Sequence, residues 1–341
     1  MCLTLRNMDY SNNIVANSAI LLLLMVGVIY ISIWSPYTTD GLSSFKTYQC
    51  LLSNRTKMVN PRDGLRAALD EASNNGNKTL IIAMINKAYV QGEKPLLNLF
   101  LDSFWLGNNT QALLDQLLLV TLDQIAFNRC KFLRLHCYGL VTDGVDYSGE
   151  KLYMSDDFIK MMWRRTNFLA NVLKRGYNFI FTDIDVMWLS NPFARLSQNQ
   201  SVDIQISCDQ FVGNEWSSYN RINTGFYFIR SNNKTISLLD TWYAMKNDYN
   251  DTKLKEQDVL QQMLDEGVFA ELGVSVRYLD TLYFSGFCQD SKDLRAVNTV
   301  HANCCRGIYA KVADLMNVLQ DWKKFRSVSD HRRKLRRRRR S

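Results

Sequence analysis

The stretch 178-NFIFTDIDVMWLSNPF-193 combines an apolar strand pattern with two aspartates, Asp183 and Asp185, where the strand ends. Because residues i and i+2 of a strand share one face, both carboxylates are predicted to point the same way, with Ile184 turned into the core. Two carboxylates this close raise each other's pKa unless a positive charge lies between them. The stretch contains no lysine or arginine. A shared proton, a basic residue from elsewhere in the chain or a divalent cation would each resolve the repulsion.

Strand-like and helix-like segments alternate on both sides of this stretch. The apolar runs of strand length are 79–85, 117–122, 132–138, 177–183, 203–207, 225–230 and 274–279. The segments with helical periodicity are 61–72, 157–175, 235–247, 255–267 and 308–325. This alternation predicts an α/β fold with a mostly parallel central sheet flanked by helices. Ligands of open α/β sheets bind beyond the carboxyl ends of the strands, where the two aspartates are expected.

Composition predicts one large folded domain with a basic end. The chain has 341 residues, 47% of them hydrophobic, and a formal net charge of +8. Residues 331–341 contain eight of the 41 Lys and Arg residues, and the other 33 are balanced by 33 acidic residues. A neutral body argues against nucleic-acid binding, which would require a basic face within the fold. We predict that 327–341 is a basic, disordered tail, which could also tether the protein to acidic polysaccharide or lipid headgroups.

Residues 14–33 form an uncharged run of twenty residues, long enough to span a hydrocarbon core of about 30 Å as a helix. A cleaved signal peptide would have a shorter apolar region and an A-x-A-like site, which does not follow Ile33. The pattern therefore favours a single transmembrane anchor. It would separate a short cytoplasmic tail, 1–13, from a stem, 34–60, and a main domain, 61–326.

Glycosylation signals and cysteines indicate on which side of the membrane the main domain lies. Six N-x-S/T triplets follow the predicted anchor, at Asn54, Asn77, Asn108, Asn199, Asn233 and Asn250. Seven of the eight cysteines also follow it. Both observations favour a lumenal domain, where disulfides are expected and an odd cysteine stays free or bridges two chains.

Two kinds of chemistry use a D-x-D sequence after an apolar strand. In an aspartyl phosphatase the first Asp attacks phosphorus and the second moves protons. Such a motif usually continues with Thr or Val where this chain has Met187, and it usually lies on the first strand of its domain. The alternative is a Mg²⁺ or Mn²⁺ site for a nucleotide sugar, because carboxylate oxygens suit these ions. The ion would stabilise the charge that grows on the diphosphate as the glycosidic bond breaks.

Several stretches form one ordered pattern along the chain, at 99–123, 160–193, 206–214, 223–235, 255–260, 277–290 and 300–315. Together they resemble the plant nucleotide-diphospho-sugar transferase family, type II Golgi membrane proteins that include cell-wall arabinosyl- and xylosyltransferases. The resemblance implies a GT-A fold and a retaining glycosyltransferase. It further implies a UDP-sugar donor, with a pentose favoured, and a cell-wall glycan or hydroxyproline-rich glycoprotein as acceptor. The implied cofactor is Mn²⁺ or Mg²⁺.

The resemblance also implies roles for single residues. Asp183 would face the ribose and the metal, and Asp185 would hold the metal. His301, in 300-VHANC-304, would complete the metal site, although it could equally be a hydrogen-bonded core histidine.

For the reaction itself, Gln257 in 255-KEQDVL-260 would lie beneath the reactive carbon of the sugar. Glu256 and Asp258 are alternative nucleophiles, or simply helix-surface charges. The residues expected to bind the donor are Asp209, Asn223, Thr224 and Gly225 at the sugar, Arg165 or Arg164 at the diphosphate, and Asn86 and Lys87 at the nucleobase or its phosphates. A non-catalytic membrane scaffold that partners an active transferase is the alternative function from a different class.

Overall fold

The computed structural model describes four segments of the chain, 61–73, 78–142, 144–246 and 254–338. The predicted cytoplasmic tail, anchor and stem lie outside these segments, and so do the triplets at Asn54, Asn77 and Asn250. None of the helices in the described segments combines the length and the apolar character that a membrane span needs.

The central sheet has seven strands in the described residues. They are β1 Thr79–Ile85, β2 Leu117–Thr121, β3 His136–Gly139, β4 Asn178–Thr182, β6 Ile204–Gln210, β7 Arg221–Ile229 and β8 Val276–Tyr278. Their order in space is β3-β2-β1-β4-β7-β6-β8. β7 runs antiparallel to both of its neighbours, and the remaining pairings are parallel. The mixed, mostly parallel sheet confirms the predicted α/β architecture.

A second, three-stranded sheet was not predicted. It consists of β5 Val186–Trp188, β10 Thr299–His301 and β9 Phe284–Gly286, in that order. Strands of three residues are too short to show an alternating pattern. In the antiparallel pair of β5 and β10, His301 lies opposite Val186. This sheet therefore brings the histidine next to the residue that follows Asp185.

The α-helices of the described segments are α1 Pro61–Ala72, α2 Lys87–Val90, α3 Leu96–Leu106, α4 Gln124–Phe132, α5 Asp156–Leu173, α6 Asn233–Ala244, α7 Glu256–Asp265, α8 Val268–Glu271 and α9 Ile308–Arg338. α5 begins where the side chain of Ser155 accepts a hydrogen bond from the Phe158 N–H, with two aspartates in its first turn. Both features stabilise a helix N-terminus. Along the helix, Met161, Phe168 and Val172 are buried.

The end of the chain differs from the prediction of a disordered tail over 327–341. α9 continues to Arg338. Leu, Lys and Arg are good helix formers, and no Gly or Pro follows Gly307 to stop the helix.

Alternate residues of the central strands enter two apolar layers on opposite faces of the sheet. In β1, Leu80 and Ile82 pack into the layer that contains α1, α5 and α6. Ile81 and Ala83 pack into the layer that contains α3 and α9. A sheet buried on both faces is a rigid support for the residues at its edge.

The reversed strand β7 decides which residues meet at the edge of the sheet where β4 ends. β4 and β6 end at the same edge because they run in the same direction. β7 begins there because it runs the opposite way. Asn223 and Thr224, near the start of β7, are thereby placed beside Asp183 at the end of β4 and Asp209 at the end of β6.

Candidate functional site

Asp183, Asp185 and His301 converge at the carboxyl edge of the central sheet. Nε2 of His301 lies 3.3 Å from Oδ1 of Asp185 and 3.8 Å from Oδ2 of Asp183. One ligand atom of each residue lies within 4.8 Å of those of the other two. Two carboxylate oxygens and one imidazole nitrogen are a donor set that can hold a divalent cation. The structure thus brings together the three residues predicted to bind a metal.

Each carboxylate of this cluster pairs through its other oxygen with a cationic side chain. Oδ1 of Asp183 accepts a 3.0 Å hydrogen bond from Nη1 of Arg165. Oδ2 of Asp185 accepts a 2.6 Å hydrogen bond from Nζ of Lys311. Basic residues from distant parts of the chain therefore offset part of the repulsion between the aspartates. The oxygens nearest His301 are the ones not used in these pairs.

Gly225 allows the backbone of β7 to pass very close to this cluster. A Cβ atom at this position would lie 2.3 Å from Cε1 of His301 and 2.7 Å from Oδ2 of Asp183. The Asp183 N–H donates a 2.7 Å hydrogen bond to the Gly225 carbonyl, which fixes the end of β4 against β7. The backbone of β7 therefore comes close to this cluster at the glycine, and any side chain here would fill the space beside His301 and Asp183.

The two aspartates differ electrostatically. Desolvation raises the pKa of Asp183, and Asp185 adds to this rise while Arg165 opposes it. Burial alone would also raise the pKa of Asp185, but His301 and Lys311 outweigh burial and hold it well below its usual range. Burial would lower the pKa of His301, but Asp185 outweighs it and raises that pKa. Asp185 is therefore the more firmly ionised of the two acids.

A buried ion pair lies behind Asp183. Nη2 of Arg165 donates a hydrogen bond to Oε1 of Glu256, and Oγ1 of Thr224 donates to the same oxygen at 3.0 Å. The guanidinium also lies over the Phe181 ring, 4.6 Å from its centroid. Glu256, predicted as an alternative nucleophile, is buried and holds Arg165 in place.

Gln257 and Asp209 form a hydrogen-bonded group next to this pair. Nε2 of Gln257 donates to Asp209 at 3.2 Å, and its Oε1 accepts from the Thr224 N–H at 3.2 Å. The other oxygen of Asp209 accepts from the side-chain amides of Asn223 at 2.9 Å and Asn303 at 2.8 Å. Residues from β6, β7 and α7 are thereby fixed in one polar network at the sheet edge.

Two residues predicted to touch the nucleobase or its phosphates are bonded to neighbouring loops. Nδ2 of Asn86 donates to the carbonyls of Tyr147 at 2.7 Å and Gly149 at 3.1 Å. Lys87 is half-buried, and its backbone N–H donates to Oδ2 of Asp123 at 2.6 Å. The Asn86 amide ties the loop before α5 to the end of β1. Donor contacts of both residues stay predictions.

Arg164 and Asp258 each have a hydrogen bond that leads away from the group formed by Asp183, Asp185 and His301. Arg164 donates to the carbonyl of Val141. Asp258 accepts a 3.3 Å hydrogen bond from the Lys255 N–H at the start of α7. Of the two arginines predicted for the diphosphate, Arg165 is the one that reaches Asp183.

Sequence reasoning missed Lys311 and Asn303 at this site. Lys311 lies in the first turns of α9, where a lysine is ordinarily solvated, and Asn303 lies two residues after the end of β10. Both follow His301 within the stretch 300–315, so the pattern around the histidine was the available signal. Their contacts with Asp185 and Asp209 depend on the second sheet, which the sequence did not reveal.

One of two disulfides in the described residues closes the segment that carries His301 and Asn303. Cys288 is bonded to Cys304, and Cys130 to Cys137. Cys208 and Cys305 are free among the described cysteines. The expected disulfides are thus present, and the 288–304 bond closes the loop that contains His301 and Asn303.

Comparison with known proteins gives a family match and several relatives. The model of the nucleotide-diphospho-sugar transferase family matches residues 112–315. An Arabidopsis thaliana protein described as uncharacterized is 54% identical over 285 residues, which cover 82% of this chain and 84% of that protein.

Two enzymes of Arabidopsis thaliana match over shorter regions. Beta-arabinofuranosyltransferase RAY1 is 27% identical over 147 residues, 40% of this chain and 27% of that protein. UDP-D-xylose:L-fucose alpha-1,3-D-xylosyltransferase 3 is 24% identical over 179 residues, 52% of this chain and 45% of that protein. The crystal structure of mouse xyloside xylosyltransferase 1 aligns with a TM-score of 0.41 and 12% identity, over 67% of this chain and 99% of that one.

Proposed function

This chain belongs to the nucleotide-diphospho-sugar transferase family, and we propose that it is a metal-dependent, retaining glycosyltransferase that uses a UDP-sugar. The family and the α/β fold support glycosyl transfer from a nucleotide sugar. A pentose donor is favoured because the relatives include an arabinofuranosyltransferase and an enzyme that uses UDP-D-xylose. The proposed acceptor is a cell-wall glycan or a hydroxyproline-rich glycoprotein.

The observation that carries this proposal is the convergence of Asp183, Asp185 and His301 within 4.8 Å. Their donor atoms fit Mn²⁺ or Mg²⁺, and Gly225 keeps a side chain out of the space beside them. We assign these three residues to hold the ion. When bound, such an ion stabilises negative charge on the leaving diphosphate as a Lewis acid.

The protein's own residues position the donor. Arg165 keeps a permanent positive charge beside Asp183, held there by Glu256, and so offsets part of the negative charge that a diphosphate would meet at this edge. The Gln257 amide is oriented by Asp209 and Thr224. An amide oxygen under the reactive carbon could stabilise an oxocarbenium-like centre without forming a stable covalent bond. Asp209 and Asn223 would contact the sugar hydroxyls.

We also propose a Golgi location, as a single-pass type II membrane protein with the catalytic domain in the lumen. The uncharged run 14–33 and the triplets that follow it support this topology. The two disulfides of the described domain suit an oxidising compartment.

The test is a donor screen with the full-length chain in detergent. UDP-arabinofuranose, UDP-xylose and UDP-galactose are each supplied with a panel of wall glycans, with Mn²⁺ or with a chelator. We expect transfer or slow donor hydrolysis that requires the metal and is lost in Asp185→Ala. Turnover that is unchanged by the chelator, or by this substitution, would remove the proposed mechanism.

A further inference from the structure

The loop between β6 and β7, residues 211–220, exposes three apolar side chains. Val212, Trp216 and Tyr219 are 54%, 57% and 81% exposed. We call this segment the aromatic loop. Large apolar side chains that are concentrated on one exposed segment indicate a binding surface more often than singly scattered ones do.

The aromatic loop is organised around one buried side chain. Asn220 is fully buried, and its Oδ1 accepts a 2.8 Å hydrogen bond from the Val212 N–H. Its Nδ2 donates to the carbonyls of Asn214 at 2.8 Å and Ser217 at 2.9 Å. The backbone that carries the exposed side chains is therefore closed on itself, as in compact loops whose ends lie close together.

Contacts with the rest of the domain hold the aromatic loop in place and pair its one charged side chain. Glu215 is its one charged residue, and both carboxylate oxygens accept from Arg277, at 2.7 and 2.9 Å. The Gln289 side chain pairs with the backbone N–H and carbonyl of Phe211. The loop thus presents aromatic, amide and hydroxyl groups and no unpaired charge of its own.

The aromatic loop joins β6 and β7, the two strands that carry the proposed sugar-binding residues Asp209 and Asn223. Gln210 and Arg221, which flank it, are paired across β6 and β7. Asp209 lies one residue before this pair, and Asn223 lies two residues after it. Their side chains are joined by a 2.9 Å hydrogen bond. The aromatic loop therefore extends toward solvent from the residues proposed to bind the donor sugar.

We propose that the aromatic loop binds the acceptor, with Trp216 and Tyr219 packing against the rings of a neutral glycan. This inference rests on the proposed glycosyltransferase function and names the surface that would receive the second substrate. Sugar rings present C–H groups on their faces, which pack well on the negative face of an aromatic ring. Nearby amide and hydroxyl groups, as in Asn214 and Ser218, can bond to sugar hydroxyls. The absence of unpaired charge on the loop suits a neutral glycan better than an anionic one.

Titrating oligosaccharides against the full-length chain tests the role of the aromatic loop without requiring enzymatic turnover. Arabino-, xylo- and galacto-oligosaccharides are titrated against the wild type, Trp216→Ala, Tyr219→Ala and Trp216→Phe. Trp105→Ala, which removes a 60% exposed tryptophan from α3, is the matched control. We expect the two alanine variants each to lower affinity for at least one glycan by about tenfold or more. Trp216→Phe should retain part of the affinity, and Trp105→Ala all of it.

UDP binding in the presence of Mn²⁺ is measured on the same proteins and should be equal in all of them. Equal glycan affinity in the wild type and the alanine variants would overturn the inference, and so would failure of the wild type to bind any neutral glycan. A drop from dimer to monomer in Trp216→Ala on sedimentation would also overturn it, because the loop would then bind a second copy of the chain. Trp216-dependent glycan binding without any use of UDP-sugars would support the loop assignment and refute the proposed enzyme.

Discussion

Arg165 and Glu256 form an ion pair in the protein interior, with 5% and 2% of their surfaces exposed. Burial would lower the pKa of the Arg165 guanidinium, but Glu256 and Asp183 outweigh burial and raise it. Arg165 belongs to α5 and Glu256 to α7, so the pair joins two helices across the beginning of β7. The positive charge beside Asp183 therefore depends on Glu256, a carboxylate outside the group formed by Asp183, Asp185 and His301.

Removing Glu256 should destabilise the protein because the buried guanidinium of Arg165 would lose its fully buried carboxylate partner. We expect Glu256→Ala to lower the free energy of unfolding by about 3–5 kcal/mol, measured by urea titration. Arg221→Ala is the control, because it removes an exposed ion pair with Asp265 and should cost at most about 1 kcal/mol. The double variant Arg165→Met and Glu256→Leu should recover most of the stability but not the activity. Equal urea midpoints for Glu256→Ala and the wild type would show that the ion pair between Arg165 and Glu256 does not stabilise the fold.

Asp185→Asn should weaken the metal site selectively. The amide keeps the size of the side chain but removes the charge that His301 and Lys311 both contact. We expect Mn²⁺ binding by calorimetry to be lost, and transfer to fall about a thousandfold. Asp290→Asn, on an exposed aspartate paired with Lys292, should change neither quantity. Wild-type Mn²⁺ affinity in Asp185→Asn would exclude Asp185 as a ligand.

Gly225→Ala should disturb the same cluster by steric contact alone. Its Cβ would come within 2.3 Å of His301 and 2.7 Å of Asp183, so both of these side chains, or the backbone of β7, must move. We expect weaker Mn²⁺ binding and lower turnover in a protein that still folds. Gly139→Ala is a suitable control in β3, because its nearest side-chain atom would lie at 3.7 Å. If the two variants behaved alike, crowding at Gly225 would not matter to the site.

The disulfide between Cys288 and Cys304 should support both the fold and the site. It closes a loop with a sequence separation of 16, for which chain entropy gives about 3 kcal/mol. We expect Cys304→Ser to lose this stability and to bind Mn²⁺ more weakly, since β10 lies inside the loop. Cys137→Ser opens a separation of 7 and should cost about 2 kcal/mol with metal binding intact. Unaltered metal binding in Cys304→Ser would show that β10 holds His301 without the bond.

Features of the candidate site that depend on a short local pattern could be predicted from the sequence. The apolar run of β4 and the spacing of Asp183 and Asp185 placed both acids at a strand end, and the helix that carries Arg165 was evident from its period. The strand order was not predictable in the same way, because the reversal of β7 depends on pairing between distant segments. The contact of Lys311 with Asp185 depends on α9 crossing to the sheet edge, which no local pattern encodes. Glu256 illustrates the same limit, because its burial beside Arg165 is a property of tertiary packing.

The attachment of α9 decides how far the chain can be shortened for expression. Its first turns reach Asp185 through Lys311, and farther along it the Trp322 indole N–H donates to the Leu106 carbonyl at 3.0 Å. Arg326 donates to the same carbonyl. A stop codon placed after residue 328 would spare all of these contacts, whereas one placed before Trp322 would remove the contacts with Leu106 from the helix that brings Lys311 to Asp185.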